Sequence, residues 1–306
     1  MARGGAFAAG EARADEGGGR GAGVAEGGAG GGGAGGVAVL ELTSTPERMG
    51  AWLSSLVAER DVLWMLAKKD FQTRYKRASL GVTWAVAVPL LQAAVMAVVF
   101  SRVVRTGTGE TFPVYVMAGV VAFSYFASVL SVASTSIVDG SSLTDKVWFP
   151  RILLVLVPAI SNLVGLIVTL GALLVAMPIF GASFEPRLLL MVPAVILLVG
   201  FAAALSSVVS ALHVYFRDVR FLVQAALIVW LYATPTLYPL HLLGGLAGVV
   251  EADPLTGPIV MLQRATVGGT GPFLVPVLVS IGTTIVLAVI GAEAQRRHDR
   301  LFVDLL

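Results

Sequence analysis

Ser141-Ser142-Leu143-Thr144-Asp145-Lys146-Val147-Trp148-Phe149-Pro150-Arg151 is a short polar island between two long apolar runs. Residues 113–138 precede it and residues 152–180 follow it. Each run exceeds the roughly 20 residues that a helix needs to cross a bilayer. Two bulky aromatics stand beside a Lys and an Asp, where a passive loop would carry Gly, Ser and Asn. Pro150 offers a clean start to the next helix. Residues 141–149 therefore read as a short helix that a partner grips from the cytosolic side.

Composition agrees with a chain that lives in lipid. The 306 residues are 57% hydrophobic and only 13% charged, and the mean hydropathy is +0.86. These values fall outside the soluble range. There is no cysteine, so disulfides, thiolate chemistry and Cys-based metal sites are excluded. His213, His241 and His298 are too scattered along the chain to suggest a metal cluster. Residues 1–36 hold 16 glycines and almost no large apolar side chains. Such a tail cannot bury enough surface to offset its ordering entropy and reads as disordered. Its scattered arginines precede no apolar stretch of the signal-peptide kind. A plainer account is an unselected tail, with Met49 as an alternative start.

Five runs are long enough to span: residues 82–104, 113–138, 152–180, 188–212 and 273–292. A sixth starts near Phe221 and meets Pro235 after about 14 residues, or roughly 21 Å, too short to cross upright. Beyond it, Tyr238-Pro239, residues 240–250 with three glycines, Asp253-Pro254 and residues 255–267 follow in turn. Short apolar pieces broken by Pro and Gly suit re-entrant half-helices, whose freed backbone groups need protein or a wet cavity around them. The expectation is an all-α membrane protein with six transmembrane helices, an N-terminal amphipathic interface helix, and re-entrant helices between spans five and six.

Basic residues orient the spans. One side carries Arg60, Lys68, Lys69, Arg74, Lys76, Arg77, Lys146, Arg151, Arg217, Arg220, Arg296, Arg297 and Arg300; the other carries Arg102, Arg105, Arg187 and Arg264. Both termini and the Trp148 island are thus expected in the cytoplasm. Residues 59–77 read as a surface helix, with Leu63, Trp64, Ala67, Phe71 and Tyr75 on one face and Asp61, Lys68, Lys69, Gln72 and Lys76 on the other. It rests on lipid headgroups alone or also docks a partner. Asp70 and Arg74, four apart, are expected to pair.

No charged side chain falls within residues 82–100, 113–138, 152–184, 188–212 or 273–292. Ion-coupled carriers need ionisable groups at that depth, which argues against a secondary transporter. No Gly-x-x-x-x-Gly-Lys-Ser/Thr loop exists to cradle ATP, and no spacing proposes a catalytic triad or carboxylate pair. The chain is read as a transport component, not an enzyme, with its energy supplied by another protein. Phe123, Tyr125 and Phe126 in the second span and Trp230, Tyr232 and Tyr238 around the short fifth one are candidate channel-lining rings. Flat apolar faces with polar edges suit sliding along sugars; lipid-interface belts or bundle core are the alternative. Ser206, Ser207 and Ser210 suit close helix packing.

Taken together, Arg74-Tyr75-Lys76-Arg77-Ala78-Ser79-Leu80-Gly81 with Trp84 and Pro89-Leu90, Lys146 through Phe149-Pro150-Arg151, Tyr215-Phe216-Arg217-Asp218-Val219 and Thr234-Pro235 through Tyr238-Pro239 resemble the ABC-2 type permeases. These are the exporters of lipid-linked polysaccharides such as O-antigen, teichoic acid and galactan. The resemblance runs from about residue 47 to the end, with one departure: Asp253 stands where relatives often have Asn before Pro-Leu. It implies a bacterial inner-membrane homodimer with a channel between the two copies, driven by two copies of a separate ATPase that binds ATP and Mg. This chain itself is then expected to bind no cofactor and no nucleic acid. Residues 141–149 would be the coupling helix, through Leu143, Asp145, Lys146, Trp148 and Phe149. Arg74, Lys76, Arg77, Leu80 and Gly81 would take in the pyrophosphate of an undecaprenyl- or decaprenyl-linked glycan. The domain plan is then a tail at 1–46, the interface helix and Leu-Gly turn at 47–81, the transmembrane domain at 82–293 and a cytoplasmic tail at 294–306. A drug or lipid exporter of the same type, or a non-transporting membrane scaffold, are the competing readings.

Overall fold

The computed structural model describes residues 49–76, 111–140, 149–269 and 271–298, with positions 79, 81, 83, 84, 87, 88, 91, 92, 94, 95 and 99 between the first two blocks. Every regular element among the described residues is a helix. The order is α1 (Met49–Ala58), α2 (Arg60–Tyr75), α3 (Phe112–Ala133), α4 (Ser136–Asp139), α5 (Ile152–Ser161), α6 (Leu163–Ile179), a 3₁₀ turn (Pro186–Leu190) leading into α7 (Met191–Tyr215), then α8 (Val219–Ala233). A second 3₁₀ segment (Leu240–Leu246) precedes α9 (Ala247–Glu251), α10 (Thr256–Val267) and α11 (Leu274–His298).

Four stretches are long and apolar enough to cross a membrane: Phe112–Ala133, Ile152–Ile179, Pro186–Tyr215 and Leu274–Arg297. They match four of the expected runs. The fifth expected run, residues 82–104, falls largely outside the described residues. Leu243–Glu251 and Thr256–Val267 form a pair bent by 111°; counted as one, that pair brings the spans to five. The break comes where Asp253-Pro254 interrupts the apolar sequence, because proline disfavours a helical conformation in the residue before it.

The same rule ends α8. Thr234, ahead of Pro235, is extended at ψ 154°, so α8 stops at 15 residues, roughly 22 Å at 1.5 Å per residue. Pro158 inside α5 removes the donor that the Leu154 carbonyl would otherwise use, and the helix loosens four residues later at Asn162, where α5 gives way to α6.

α3 is the most deeply buried span and α11 the least. The core gathers on α3. Phe126, fully buried, stacks on Phe201 of α7 with centroids 5.5 Å apart and meets Trp230 of α8 edge-on at 5.1 Å. Phe123 completes the group at 6.1 Å from Phe126. Offset and edge-to-face pairs of this kind contribute about 0.5–1.5 kcal/mol each beyond area burial.

Elsewhere backbones approach through small residues. A Cβ on Gly119 of α3 would lie 2.7 Å from the Thr236 carbonyl, and one on Gly291 of α11 would lie 2.7 Å from Ser207 Cβ of α7. At that second crossing Gln295 donates to the Ser207 carbonyl at 3.0 Å. The expected packing role of Ser207 and Ser210 fits this crossing, since both meet the Gln295 amide. Ile196, Ile228, Val229, Ile285 and Val289 point outward from α7, α8 and α11, an apolar exterior that suits lipid or another subunit.

Candidate functional site

Two polar constellations stand out against this apolar bundle. The first starts on α2. Arg74 Nη2 donates to Asp70 Oδ2 at 2.9 Å, the expected pair one helical turn apart, stabilising by about 0.2–0.5 kcal/mol. Its Nη1 donates to Asn162 Oδ1, also at 2.9 Å. The same oxygen accepts from the Ser128 hydroxyl of α3 at 2.9 Å, and Asn162 Nδ2 donates to the Pro158 carbonyl at 2.7 Å. One carboxamide at the α5–α6 break thus joins α2, α3 and the broken helix.

A cavity of about 330 Å³ opens beside this junction. Its polar wall runs through Ser161, Asn162, Ser128 and Ser124, and its apolar wall through Phe71, Trp84, Val88, Val121 and Leu166. Ser124 donates to Gln92 at 3.4 Å. A second cavity of about 290 Å³ shares Gln92, Val120 and Ser124 with the first and reaches Leu231 and Leu237.

α2 also explains Phe149. That ring is buried with Leu153 and Leu154 beneath Leu56, Val62, Leu63 and Leu66. The protein-facing edge of α2 is therefore Val62, Leu63, Leu66 and the buried Ala67. Trp64, placed on the same face by the helical wheel, is 67% exposed and points away, because the interhelix seam is narrower than the apolar arc. Of the other expected coupling residues, Leu143, Asp145, Lys146 and Trp148 lie outside the described residues. Arg77 and Leu80 do as well. Lys76 is exposed at the end of α2, and Gly81 takes φ 53°, the left-handed region where glycine carries no steric cost.

The second constellation closes the C-terminal end of α8. Trp230 Nε1 donates to Asp253 Oδ1 at 3.0 Å, and that oxygen also accepts the Leu255 amide at 3.1 Å. Thr256 bridges the bend by donating to the Val250 carbonyl at 2.7 Å. The Pro235 carbonyl, freed by the broken helix, accepts from Gln263 Nε2 at 2.9 Å. The Tyr115 hydroxyl lies 3.3 Å from the Tyr238 carbonyl and 3.5 Å from that of Pro235. This meets the requirement that buried backbone groups be paired. Tyr238 donates back to the Tyr232 and Ala233 carbonyls at 2.8 and 3.2 Å. Ser280 of α11 accepts the Gly257 amide at 3.1 Å and lies 2.6 Å from the Pro254 carbonyl, fastening the bend to the last span.

The candidate channel-lining rings divide between these surroundings. Phe126 is packed in the core, and Tyr125 donates to the Ala159 carbonyl at 2.8 Å while one side of it meets the first cavity. Phe123 borders the second cavity. Trp230 and Tyr238 belong to the bend, and Tyr232 is 64% exposed on α8. Asn162, Ser128, Gln92 and Gln263 were absent from the sequence reading. The visible signal was the amide side chain itself: Asn162 stands alone in a long apolar run, where an uncharged polar group needs partners.

No group of three or more His, Asp or Glu capable of holding a metal occurs among the described residues. The constellations offer hydrogen bonds, one guanidinium and voids.

Comparison with known proteins places these features. Residues 61–265 match the ABC-2 type transporter family. The chain is 29% identical over 181 residues to the O-antigen export system permease protein RfbA of Myxococcus xanthus, covering 59% of this chain and 69% of that protein. It is 24% identical over 249 residues to a protein of the same name from Klebsiella pneumoniae, covering 80% of this chain and 95% of the relative. A second Klebsiella pneumoniae protein of that name is 22% identical over 250 residues.

Proposed function

The chain belongs to the ABC-2 type transporter family, and on that premise we propose that it is the membrane-spanning permease of a polysaccharide exporter. The observation that carries this reading is the length of the likeness: O-antigen export permeases align over 95% of their own extent. The bent pair after α8 and the helices that flank it supply the membrane architecture such a permease needs.

In the finer form of this reading, the chain crosses the bacterial inner membrane six times, with residues 82–104 as the first span, α8 as the short fifth and the bent pair as re-entrant helices. Both termini face the cytoplasm. Two copies flank a channel, and two copies of a separate ATPase bind ATP and Mg on the inner face. Residues 141–149, through Leu143, Asp145, Lys146, Trp148 and Phe149, receive the motion of that ATPase. The burial of Phe149 under α2 supports this, because a push on the 141–149 segment is passed directly to the interface helix.

Arg74, Lys76, Arg77, Leu80 and Gly81 meet the pyrophosphate of an undecaprenyl- or decaprenyl-linked glycan of O-antigen, teichoic acid or galactan type. Phe123, Tyr125, Phe126, Trp230, Tyr232 and Tyr238 serve the glycan path, through rings that border cavities or the bend. Depletion of the protein tests the reading: a lipid-linked glycan should accumulate on the cytoplasmic side. Unchanged glycan distribution after depletion would overturn it and favour the drug-exporter or scaffold alternatives.

A further inference from the structure

We propose that a third cavity, enclosed by the start of α3 and the end of α10, binds one anionic sugar unit of the exported glycan. The carboxylate or phosphate of that unit sits on Arg264, and its ring lies against Phe112 and Tyr115. The proposal rests on the export reading and deepens it, since it names the charge class of the cargo.

The cavity is remote from α2. Phe112 on its wall and Ser128 at the Arg74 junction stand roughly 24 Å apart along α3 at 1.5 Å per residue. Its volume of about 270 Å³ lies just below the usual span of ligand sites. It has room for one sugar ring and none for a lipid chain or a whole glycan repeat.

Charge identifies the anion. Arg264 is the one charged residue among those lining the cavity. Arg187, which packs on Gly268 of the wall, is already paired with Glu185 at 3.0 Å. Among the described residues no carboxylate lies within ion-pair distance of Arg264. Its guanidinium donates to the Gly271 carbonyl and lies over the Phe273 ring at 4.7 Å, and neither partner carries a neutralising charge. A cation withdrawn from water without a counter-ion is costly. An arriving carboxylate or phosphate offsets that cost through the bidentate bond that guanidinium favours. The Gly271 and Phe273 contacts hold the fork in place beforehand, which lowers the ordering cost of binding.

The walls identify the sugar. Phe112 and Tyr115, one turn apart on α3, lie within 9° of parallel with centroids 6.0 Å apart. Flat apolar faces with a polar edge suit the C–H face of a sugar ring and its hydroxyls. The Tyr115 hydroxyl bonds the Tyr238 carbonyl, and the Gln263 amide bonds that of Pro235, so both side chains are fixed. Gly268 and Gly269, at φ 82° and 125°, bring bare backbone to the same cavity, where a polar ligand can approach the peptide groups closely.

The chain has no cysteine, so Val267→Cys places a single thiol on the cavity wall of the full-length protein. A membrane-impermeant maleimide added to intact spheroplasts should label it; labelling only after lysis would overturn an outward-facing site. In nanodiscs of neutral lipid, glucuronate or glucose 6-phosphate at ten times its Kd should slow labelling roughly tenfold. Protection by one of the two alone supports the site and names its anion. Glucose should leave the rate unchanged, and equal protection by glucose would overturn the part given to charge. Equal protection by inorganic phosphate or by phosphatidylglycerol would overturn the sugar assignment. Arg264→Gln should raise the concentration needed by about tenfold, with Arg264→Lys, which keeps the cation, in between. No protection by either anionic sugar, in protein that elutes as a single folded species, would overturn the site itself. Val267→Trp fills the cavity and should bring a loss of export. Normal export by that variant, correctly inserted, sinks the site's place on the glycan path but spares the export reading. Anionic-sugar protection in a protein whose depletion shifts no glycan supports the site and removes the export role.

Discussion

Trp230 and Asp253 are joined by an indole N–H to carboxylate bond of 3.0 Å, which ties the last turn of α8 to the bend of the α9–α10 pair. Because Asp253 also accepts the Leu255 amide, one carboxylate both pins the bend and prepares the start of α10. Asp253→Ala should therefore cost about 1–3 kcal/mol, by leaving buried donors without acceptors. Trp230→Phe keeps the ring in the Phe126 cluster, removes a single donor and should cost roughly 1 kcal/mol. Asp253→Asn, which retains an acceptor oxygen, should lie near wild type. Thermal unfolding in detergent ranks the three; an equal loss for Asn and Ala would contradict the acceptor role.

Asn162 makes a second set of stability predictions. Its amide serves Arg74, Ser128 and Pro158 at once, so Asn162→Leu should destabilise by about 1–3 kcal/mol, and Ser128→Ala, which removes one bond of the three, by about 1 kcal/mol. The double variant should fall short of the sum, as expected where the two side chains are donor and acceptor of the same bond. Simple additivity in the unfolding midpoints would mean that the two groups act independently.

Helix crossings offer a steric test. A Cβ on Gly257 would meet the Ser280 hydroxyl and approach the Pro276 carbonyl to 2.7 Å, so Gly257→Ala should cost about 1–3 kcal/mol through overpacking. Gly171 in α6 has nothing within 4 Å of such a Cβ. Gly171→Ala should stabilise by about 0.5–1 kcal/mol through helix propensity. Monodispersity of the detergent-solubilised variants on a sizing column, followed by melting, reads both signs.

The proposed coupling to a separate ATPase is tested at residues 141–149. Replacing Trp148 and Phe149 together with Ala should leave membrane insertion and ATP hydrolysis by the partner intact. Export should fall roughly 5–150-fold if the contact carries a coupling free energy of about 1–3 kcal/mol. Undiminished export in the double variant would remove the lever role of this segment.

Much of the architecture was legible because prolines and apolar length are local signals. Pro235 predicted a truncated α8, and Asp253-Pro254 predicted a broken segment; both breaks occur where the residue before proline leaves helical geometry. The Asp70–Arg74 pair was equally local. What could not be read was the rotation of each helix about its axis. Phe126 and Tyr232 are aromatic residues in similar sequence settings, yet one is fully buried and the other 64% exposed. That difference is decided by Phe201 and the other neighbours that approach from distant parts of the chain. Which part of the apolar arc of α2 meets protein was hidden for the same reason: a helical wheel gives an arc, and only α5 determines that Leu63 is covered while Trp64 is left exposed. The Arg74–Asn162 bond spans 88 residues of sequence, a separation that no periodicity reveals.

The docking of α2 on α5 has a consequence for biogenesis. α5 begins 77 residues after α2 ends, and at the roughly 5–20 residues per second of synthesis the ribosome delivers the covering surface several seconds late. Through that interval Val62, Leu63 and Leu66 have no protein to rest on, so the bilayer surface or a chaperone must shelter them. α2 is thus finished only once α3 and α5 have been inserted, and translation order and folding order part company at this helix.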